Sequence, residues 1–502
     1  MIHAQLVRTF IISSLALSLS CTAAWAQSAG IGGPAAGNSA LMPGTPARRI
    51  VAPAMAVQPG FAGSVAQGTA TATPIPLTLG EAISRGLKAN LGVLTSEQSG
   101  IEARAQRRQA LSQLLPTVTG TVSENVLQSN LDTFGFNFPN VPNSPFHVPK
   151  IIGPFAYSEA QANVSVTGSV SSWRNLRSAN QRQQAAQLSV KDARDLVVQA
   201  VGNAYLSIIA SAARIQSTEA QVNTAQVLFG RASDQKKAGT APGIDVLRAQ
   251  VELKRQQQLL VVQKNQFQKD KLTLGRVIGL PVGQDFTVAD PTPSIPLQAM
   301  SIADALQKAY ANRADYQAAQ TVVNAAEESV KAAKAQWLPT LGVSGFYGDA
   351  GKTFGNSHGV FAFAGSLNFN IFDGGRIRSE VQQQESELTN RKNELADIRG
   401  RIDYEVRNAL LDLQASNEQV DVARSSVDLA KQELTQAQDR FSSGVADNLE
   451  VVQAQQSVAD ADETLISALY QNNLAKVELA RALGLAEEGI RTYFTQNTGN
   501  RP

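Results

Sequence analysis

The chain has almost no cysteine, few aromatic residues and no large excess of charge of either sign. One cysteine occurs in 502 residues, aromatic residues make up 6%, and the formal net charge is +2. Nucleic-acid-binding chains normally carry a strong basic surplus, so the balanced charge argues against such a partner. Large compact enzymes normally have more aromatic residues, whereas an abundance of Ala, Gln, Ser, Val and Leu favours long helices.

Motifs for catalysis and metal binding are also missing. The sequence contains no CxxC, HExxH, Walker-type loop or GxSxG pattern. His3 lies near the N-terminus, and His147 and His358 are isolated in loop-like regions, as ordinary histidines often are. Asp373-Gly374-Gly375 stands between a strand-like segment and a helix, which predicts a tight turn and a cap. We therefore expect no enzymatic activity, no metal and no cofactor.

The N-terminus has the pattern of a cleaved export signal, predicted to span residues 1–26. Arg8 precedes an apolar run from Phe10 to Leu19, and Ala24-Trp25-Ala26 supplies small residues before cleavage at Gln27. The run of about ten residues is too short to cross a bilayer as a helix. A membrane-anchored or buried N-terminal helix is the alternative.

Cys21, the single cysteine, lies inside this predicted signal. Cleavage after Ala26 leaves a mature chain without disulfide or thiol chemistry. Cys21 could instead be lipidated, although Ser18 stands where a lipidation motif requires Leu. No later segment has eighteen uninterrupted apolar residues, so we expect no transmembrane helix. An exported chain of this kind is periplasmic, secreted or an outer-membrane β-barrel.

The rest of the sequence is organised as two copies of one unit. Residues 27–76 are rich in Gly, Ala, Pro and Ser and are predicted to be a flexible leader. The predicted copies are residues 77–290 and 291–490, and residues 491–502 form a tail. The repeated blocks, which return in the same order, are Leu79-Gly80-Glu81-Ala82 with Ile302-Ala303-Asp304-Ala305, Gln113-Leu114-Leu115-Pro116-Thr117 with Gln336-Trp337-Leu338-Pro339-Thr340, Asp245-Val246-Leu247-Arg248-Ala249-Gln250 with Glu450-Val451-Val452-Gln453-Ala454-Gln455, and Leu274-Gly275-Arg276-Val277-Ile278-Gly279-Leu280 with Leu479-Ala480-Arg481-Ala482-Leu483-Gly484-Leu485.

Each copy contains two stretches with the alternation of β-strands, placed between helical runs that stop at Pro116 and Pro339. In the clearest, Phe361 to Ile371, apolar and small or polar residues alternate over about ten residues, as in a transmembrane barrel strand. Residues 118–122, 164–170 and 341–347 alternate more weakly. A half-buried soluble sheet has the same period, so alternation alone does not decide between them. Residues 125–157 contain five prolines and are predicted to form a long loop.

Two very long helices are predicted at residues 174–237 and 376–443, which contain no proline. At 1.5 Å per residue each extends roughly 100 Å. Apolar and small side chains recur in them at alternating steps of four and three, which is typical of supercoiled helices. In the second helix this seam consists of Ile402, Val406, Ala409, Leu413, Ser416, Val420, Ala423, Val427, Ala430, Leu434, Ala437 and Phe441.

These elements predict a mixed, mainly α-helical fold with long coiled-coil helices and four transmembrane strands per chain. Four strands are too few to close a membrane barrel, for which at least eight are needed. Three copies of the chain would supply twelve strands, and a closed ring leaves no exposed strand edge.

The repeated blocks resemble those of the TolC-like outer-membrane efflux protein family from Leu77 to about Leu485. Phe372-Asp373-Gly374-Gly375-Arg376 and Leu115-Pro116-Thr117 carry part of this resemblance. It implies a homotrimer with a twelve-stranded barrel among outer-membrane lipid and a helical barrel in the periplasm. It also implies a passive export duct of a tripartite efflux or type I secretion system. The implied partners are a periplasmic adaptor and an inner-membrane pump of the RND or ABC type.

Acidic residues at two helical hairpin tips are the candidate pore gate. In the family these tips lie at the periplasmic entrance, where rings of carboxylates favour cations. Glu450 matches a family position that carries a pore-facing acid, Asp447 lies nearby, and Asp245 is its equivalent in the first copy. The alternative is that these acids only stabilise helix starts through the helix dipole.

The second acidic ring and the latch of the best-known family member are not expected in this chain. Gln453 stands at the second acidic position, and Phe441 and Ala446 replace the tyrosine and arginine that form the latch. Gly239, Gly444, Lys236 and Lys237 are the candidate contacts to an adaptor. The cargo is not predicted.

Two other classes of protein are alternatives. A trimeric coiled-coil surface protein without a transport role would explain the heptads and the export signal, but not the strands. A soluble periplasmic adaptor or enzyme scaffold is the second alternative.

Overall fold

The computed structural model describes residues 61–135, 149–240, 242–289, 300–443, 445, 448–487 and 489. The predicted signal with Cys21, the candidate residues Gly444 and Asp447, and the C-terminal tail lie outside these residues. The described helices are α1 (Leu79–Ala89), α2 (Leu91–Ser112), α3 (Val170–Lys237), α4 (Gly243–Ile278), α5 (Ile302–Asn312), α6 (Ala314–Lys334), α7 (Arg376–Ser442) and α8 (Asn448–Ala482). The described strands are β1 (Ile75–Leu77), β2 (Thr117–Asn130), β3 (Ile151–Gly168), β4 (Phe286–Val288), β5 (Thr340–Thr353) and β6 (Asn356–Asn368).

Each helical run that precedes a β-hairpin consists of two helices, where the sequence pattern predicts one. The first run breaks at Asn90, whose ψ of 133° is extended and whose side-chain oxygen accepts a 2.9 Å hydrogen bond from Gly92 N. The second run breaks at Arg313, where ψ is 120°. Both residues are at least 99% buried, so side-chain contacts outside the helix stabilise these breaks.

Strands β2, β3, β5 and β6 form one antiparallel sheet in that order. The prediction of a loop over residues 125–157 is wrong at both ends, because β2 continues to Asn130 and β3 begins at Ile151. The pairing runs from Thr117 opposite Ser165 to Asn130 opposite Ile151, with one irregularity. Backbone pairing across the hairpin therefore extends these strands past the point where side-chain alternation ends.

Part of the predicted flexible leader is packed. Within residues 61–76, Val65 N donates to Ala89 O at 2.9 Å, and the Asn90 side-chain amide donates to Phe61 O at 2.8 Å. The Phe61 ring lies against the hydrophobic core, and β1 pairs in parallel with β4. Residues 61–76 contain no charged side chain, which suits a segment that lies along an apolar surface.

The two long helices are continuous over 68 and 67 residues, and their periodic seams are buried. In α7 the buried positions include Ile402, Val406, Ala409, Leu413 and Ser416, which follow the predicted steps of four and three. The largest core cluster lies where the middle of α3 meets α1, the end of α4 and the end of α8.

Helix α3 contains an apolar segment long enough to cross a membrane by length and composition. Its most apolar window has a mean hydropathy of 1.5, and 61% of that window is buried inside the chain. Because α2, α4, α6 and α8 all pack against α3, its apolar character serves the core of the chain.

The helices form a layer with two uncovered edges in a single chain. On the sheet side of the core, α2 packs on α3, α3 on α6 and α6 on α7. On the other side, α4 packs on α3, α3 on α8 and α8 on α7. Among the described elements, β2, α2 and α4 thus lie along one edge, and β6 and α7 lie along the other.

Candidate functional site

The first hairpin tip joins α3 to α4. Gly239 has a φ of +71°, a left-handed conformation that glycine adopts without strain. Gly239 N donates to Lys236 O at 3.0 Å, and Thr240 N donates to Gln235 O at 2.9 Å. These bonds satisfy the last carbonyl groups of α3, so a backbone role accounts for glycine at this position.

The second tip, between α7 and α8, ends its first helix with the same kind of bond. Val445 N donates to Arg440 O at 3.0 Å, again across five residues. Gly444, Ala446 and Asp447 are not among the described residues, so the candidate roles of Gly444 and Asp447 stay predictions.

Glu450 lies in the first turn of α8 and faces the end of α7. Its Oε1 is 3.3 Å from Arg440 Nε, and the two side chains are 41% and 57% exposed. An ion pair this exposed contributes at most ~1 kcal/mol to stability. Its main effect is electrostatic, because a cation of the same chain partly neutralises the carboxylate expected to face the pore.

Asp245 has a more covered environment than its counterpart in the second copy. It lies in the first turn of α4, with Oδ1 3.6 Å from Arg248 Nη1, and its side chain is only 14% exposed. A carboxylate paired along its own helix, at the end where the helix dipole favours negative charge, fits a local stabilising role.

Lys236 and Lys237 lie on the surface of the first tip. Lys237 Nζ is 3.1 Å from Asp234 Oδ1, and both side chains are about three-quarters exposed. The Lys236 side chain extends over Gly243, where a Cβ atom would lie 3.6 Å from Lys236 Cε. A partner can therefore reach both lysines, but neither side chain projects freely from the tip.

A buried charged network near the ends of α5 and α8 was not predicted. Arg313, 1% exposed, bonds Asp315 through Nη2 at 2.7 Å and Glu405 through Nη1. Arg481 Nη2 donates to Asp192 Oδ1 at 2.6 Å. The sequence offered one clue to this network. When the two copies are aligned from Leu79 and Ile302, Arg313 occupies the position of Asn90.

Burial shifts the protonation of two groups in the core. Burial raises the pKa of Asp195 to about 6, although Arg481 and Lys191 oppose the shift. Burial lowers the pKa of Lys476, on α8, to about 8. In the part of the chain that the structure describes, no group of three or more His, Cys, Asp or Glu residues is placed to hold a metal ion.

The sequence is similar to known outer-membrane efflux proteins. The model of the outer membrane efflux protein family matches residues 82–280 and 305–485. The pyoverdine export outer membrane protein OpmQ of Pseudomonas putida is 24% identical over 336 residues, which are 64% of this chain and 70% of OpmQ. Outer membrane protein OprJ of Pseudomonas aeruginosa is 26% identical over 61% of this chain and 65% of its own length.

The fold is similar to that of solved outer-membrane channels. The outer membrane protein VceC of Vibrio cholerae superposes with a TM-score of 0.67 at 19% identity, covering 81% of this chain and 96% of VceC. At this identity the likeness concerns the fold, whereas the family match covers most of the sequence. The chain therefore belongs to the outer membrane efflux protein family and is an outer-membrane efflux channel.

Proposed function

We propose that three copies of the chain close into one duct that crosses the outer membrane and the periplasm and conducts its cargo passively. The observation that carries this proposal is the four-stranded sheet, which has an apolar face exposed in the single chain and two edge strands that pair on one side only among the described elements.

The two faces of the sheet differ in polarity over the rows nearest the helices, although Phe346 lies on the more polar face. One row across the strands is Val118, Val164, Gly345 and Phe363, and the next row on the same face is Gly120, Ala162, Tyr347 and Phe361. A row on the opposite face is Thr117, Ser165, Ser344 and Ala364. Phe361 and Phe363 are 70% and 72% exposed, which suits contact with lipid better than contact with water.

The height of the apolar face fits a membrane. On the same face of β2, Val118 to Val126 spans roughly 27 Å along the strand at ~3.4 Å per residue, or about 21 Å along the membrane normal at a barrel tilt of about 40°. Outer-membrane barrels carry an apolar band about 25 Å tall, bordered by aromatic residues. Trp173 and Trp337, which are 43% and 50% exposed, lie just beyond the strands at one end.

The uncovered edges of the helical layer carry matching apolar stripes. Exposed apolar residues of α4 are Ile244, Leu247, Val251, Val261, Val262 and Leu272, and those of α7 are Tyr404, Leu411, Val422 and Leu429. Steps of seven residues join Ile244 to Val251 in α4, and Tyr404 to Leu411 and Val422 to Leu429 in α7, as in helices that pack side by side. Contact between α4 of one copy and α7 of the next would cover both stripes while the edge strands β2 and β6 pair.

The two-copy organisation, residues 77–290 and 291–490, is part of this proposal. The family model matches one segment in each predicted copy. Each copy closes with a left-handed glycine, Gly279 at φ +74° and Gly484 at +71°. Leu280 N donates to Gly275 O, and Leu485 N donates to Ala480 O, both at 2.9 Å.

The hairpin tips are the proposed entrance from the periplasm. Glu450, with Asp447, supplies the gate charge, and Asp245 contributes less because it is largely covered. Gly239, Gly444, Lys236 and Lys237 form the proposed surface for a periplasmic adaptor, which connects the duct to an inner-membrane pump. The names of relatives mention export of pyoverdine and efflux of toluene, so small organic molecules are the proposed cargo class.

Fractionation tests the proposed assembly. The full chain should be found in the outer-membrane fraction as a detergent-requiring trimer that dissociates on heating, and should conduct ions in a planar bilayer. Release of the protein by osmotic shock as a soluble species would rule the duct out.

Substitution of the gate charge tests the role of Glu450. We expect Glu450→Gln to weaken block of the channel by divalent cations, because one carboxylate per copy is lost. Arg440→Gln should strengthen that block, since it removes the guanidinium next to the carboxylate. Asp245→Asn is the matched control and should have a smaller effect. If all three variants have the conductance and the cation block of the wild-type channel, Glu450 is not part of the gate.

A further inference from the structure

A polar groove lies on α3 just beyond the end of the sheet. It has a volume of about 610 Å³ and is lined by Arg107 of α2, Arg177 of α3 and Glu328 of α6, with five side-chain amides between Asn180 and Gln187. Arg177 is seven residues into α3, roughly 10 Å from the helix start at a rise of 1.5 Å. The groove therefore begins close to the proposed membrane boundary.

The groove has a surplus of positive charge. Its one lining carboxylate, Glu328, is already shared by Arg174 Nη1 at 3.0 Å and Lys331 Nζ at 2.8 Å. Within the described ranges neither Arg107 nor Arg177 pairs with a carboxylate, and the buried Arg107 Nε has no hydrogen-bond partner. Two guanidinium groups and several amides thus offer donors that the chain itself leaves unused.

The orientation of the groove follows from an aromatic contact. The Arg177 guanidinium carbon lies 3.9 Å from the centre of the Trp173 ring, and that of Arg174 lies 5.1 Å from it. Tryptophan is enriched at membrane–water boundaries, where its ring lies at the level of the lipid headgroups. Arg177 therefore lies on the same side of the helical layer as Trp173. In the proposed duct, that side faces lipid.

We propose that this groove binds a phosphate group, supplied by an anionic phospholipid of the leaflet that faces the periplasm. Arginine pairs with phosphate through two parallel hydrogen bonds, and the amides satisfy the remaining oxygen atoms of the headgroup. In the aligned repeat Val330 and Gln382 replace Arg107 and Arg177, so the pair of arginines occurs in the first unit alone. The location of the groove next to the membrane rests on the proposed function, whereas the set of hydrogen-bond donors that line the groove does not.

Lipid binding to the intact protein tests the proposal. Native mass spectrometry would count dioleoyl phosphatidylglycerol retained by the detergent-solubilised full chain, with dioleoylglycerol as the probe that lacks phosphate. We expect retention of the phospholipid only, and roughly tenfold weaker retention in the double variant Arg107→Gln/Arg177→Gln. Arg104→Gln/Arg108→Gln is the matched control, because it removes the same charge from exposed positions of α2.

A soluble probe separates the two sources of phosphate. The phospholipid-bound protein is titrated with inorganic phosphate. Displacement of the phospholipid only at very high phosphate concentration supports a headgroup site. Binding of inorganic phosphate that depends on Arg107 and Arg177, without phospholipid retention, supports the anion site but overturns the lipid source. Equal retention in both double variants overturns the proposal altogether. Planar-bilayer conductance of the same preparations reports on the duct separately, so a conducting channel without phosphate binding refutes this site alone.

Discussion

Asp195 is a single residue on which burial and charge act in opposite directions. Its side chain is 5% exposed on α3, and the charged groups that act on it are Arg481, Lys191, Asp192 and Glu487. Its pKa is raised from 3.8 to about 6, because loss of hydration outweighs attraction to the two cations. The folded chain therefore binds this proton more tightly than the unfolded chain does.

The pH dependence of stability follows from the sign of this shift. Below about pH 4 the group is protonated in both states and its burial costs little, whereas above pH 6 the full cost is present. We expect Asp195→Asn to stabilise the protein by ~1–3 kcal/mol at pH 7.5 and by much less at pH 4.5. Thermal unfolding of both proteins at the two pH values measures this. The exposed Asp397→Asn is the control, and an equal gain from it would contradict the explanation by burial.

At the scale of secondary-structure elements, helix ends were harder to predict than helix interiors. The periodic seam of α7 can be read from adjacent turns, since each turn contributes its own apolar residue. The breaks at Asn90 and Arg313 depend on partners far along the chain, Val277 O at 3.2 Å for Asn90 and Glu405 for Arg313. Local sequence patterns carry no information about such partners.

Two glycines allow the same substitution to be tested in opposite contexts. A Cβ on Gly484 would lie 2.7 Å from the backbone nitrogen of Arg313, and its φ is +71°. We expect Gly484→Ala to cost more than ~1 kcal/mol, because neither the clash nor the left-handed backbone relaxes easily. Gly400→Ala, in the exposed interior of α7 with nothing within 4 Å, should stabilise the chain by ~0.5–1 kcal/mol. Melting temperatures that move in the same direction would contradict the assigned roles.

At the scale of the whole molecule, the sheet requires surroundings that a single chain does not provide. Phe361 and Phe363 on its apolar face are exposed, and its edge strands β2 and β6 each pair with one described neighbour. Isolated edges and apolar faces favour aggregation, so the proposed closure with other copies inside a membrane would stabilise both features together.

Adjacent residues of β6 provide a matched test of that arrangement. We expect Phe363→Lys to reduce the yield of heat-modifiable protein in the outer membrane, because a charge in the lipid band costs ~2–4 kcal/mol at its centre. Ala364→Lys, on the opposite face, should assemble near the wild-type level. Membrane fractionation followed by gel mobility before and after heating distinguishes them, and equal yields would mean that lipid does not cover this face.

Sequence by itself determined the helical seams, the alternation of the strands and the family resemblance, because each is carried by residues a few positions apart. Gly239 and the two long helices were predicted from such local patterns. Only the tertiary structure decided that Glu450 faces Arg440, that Arg107 and Arg177 line one groove, and that Asp195 is buried. These properties depend on which distant side chains meet, and on how far packing removes water from their charges.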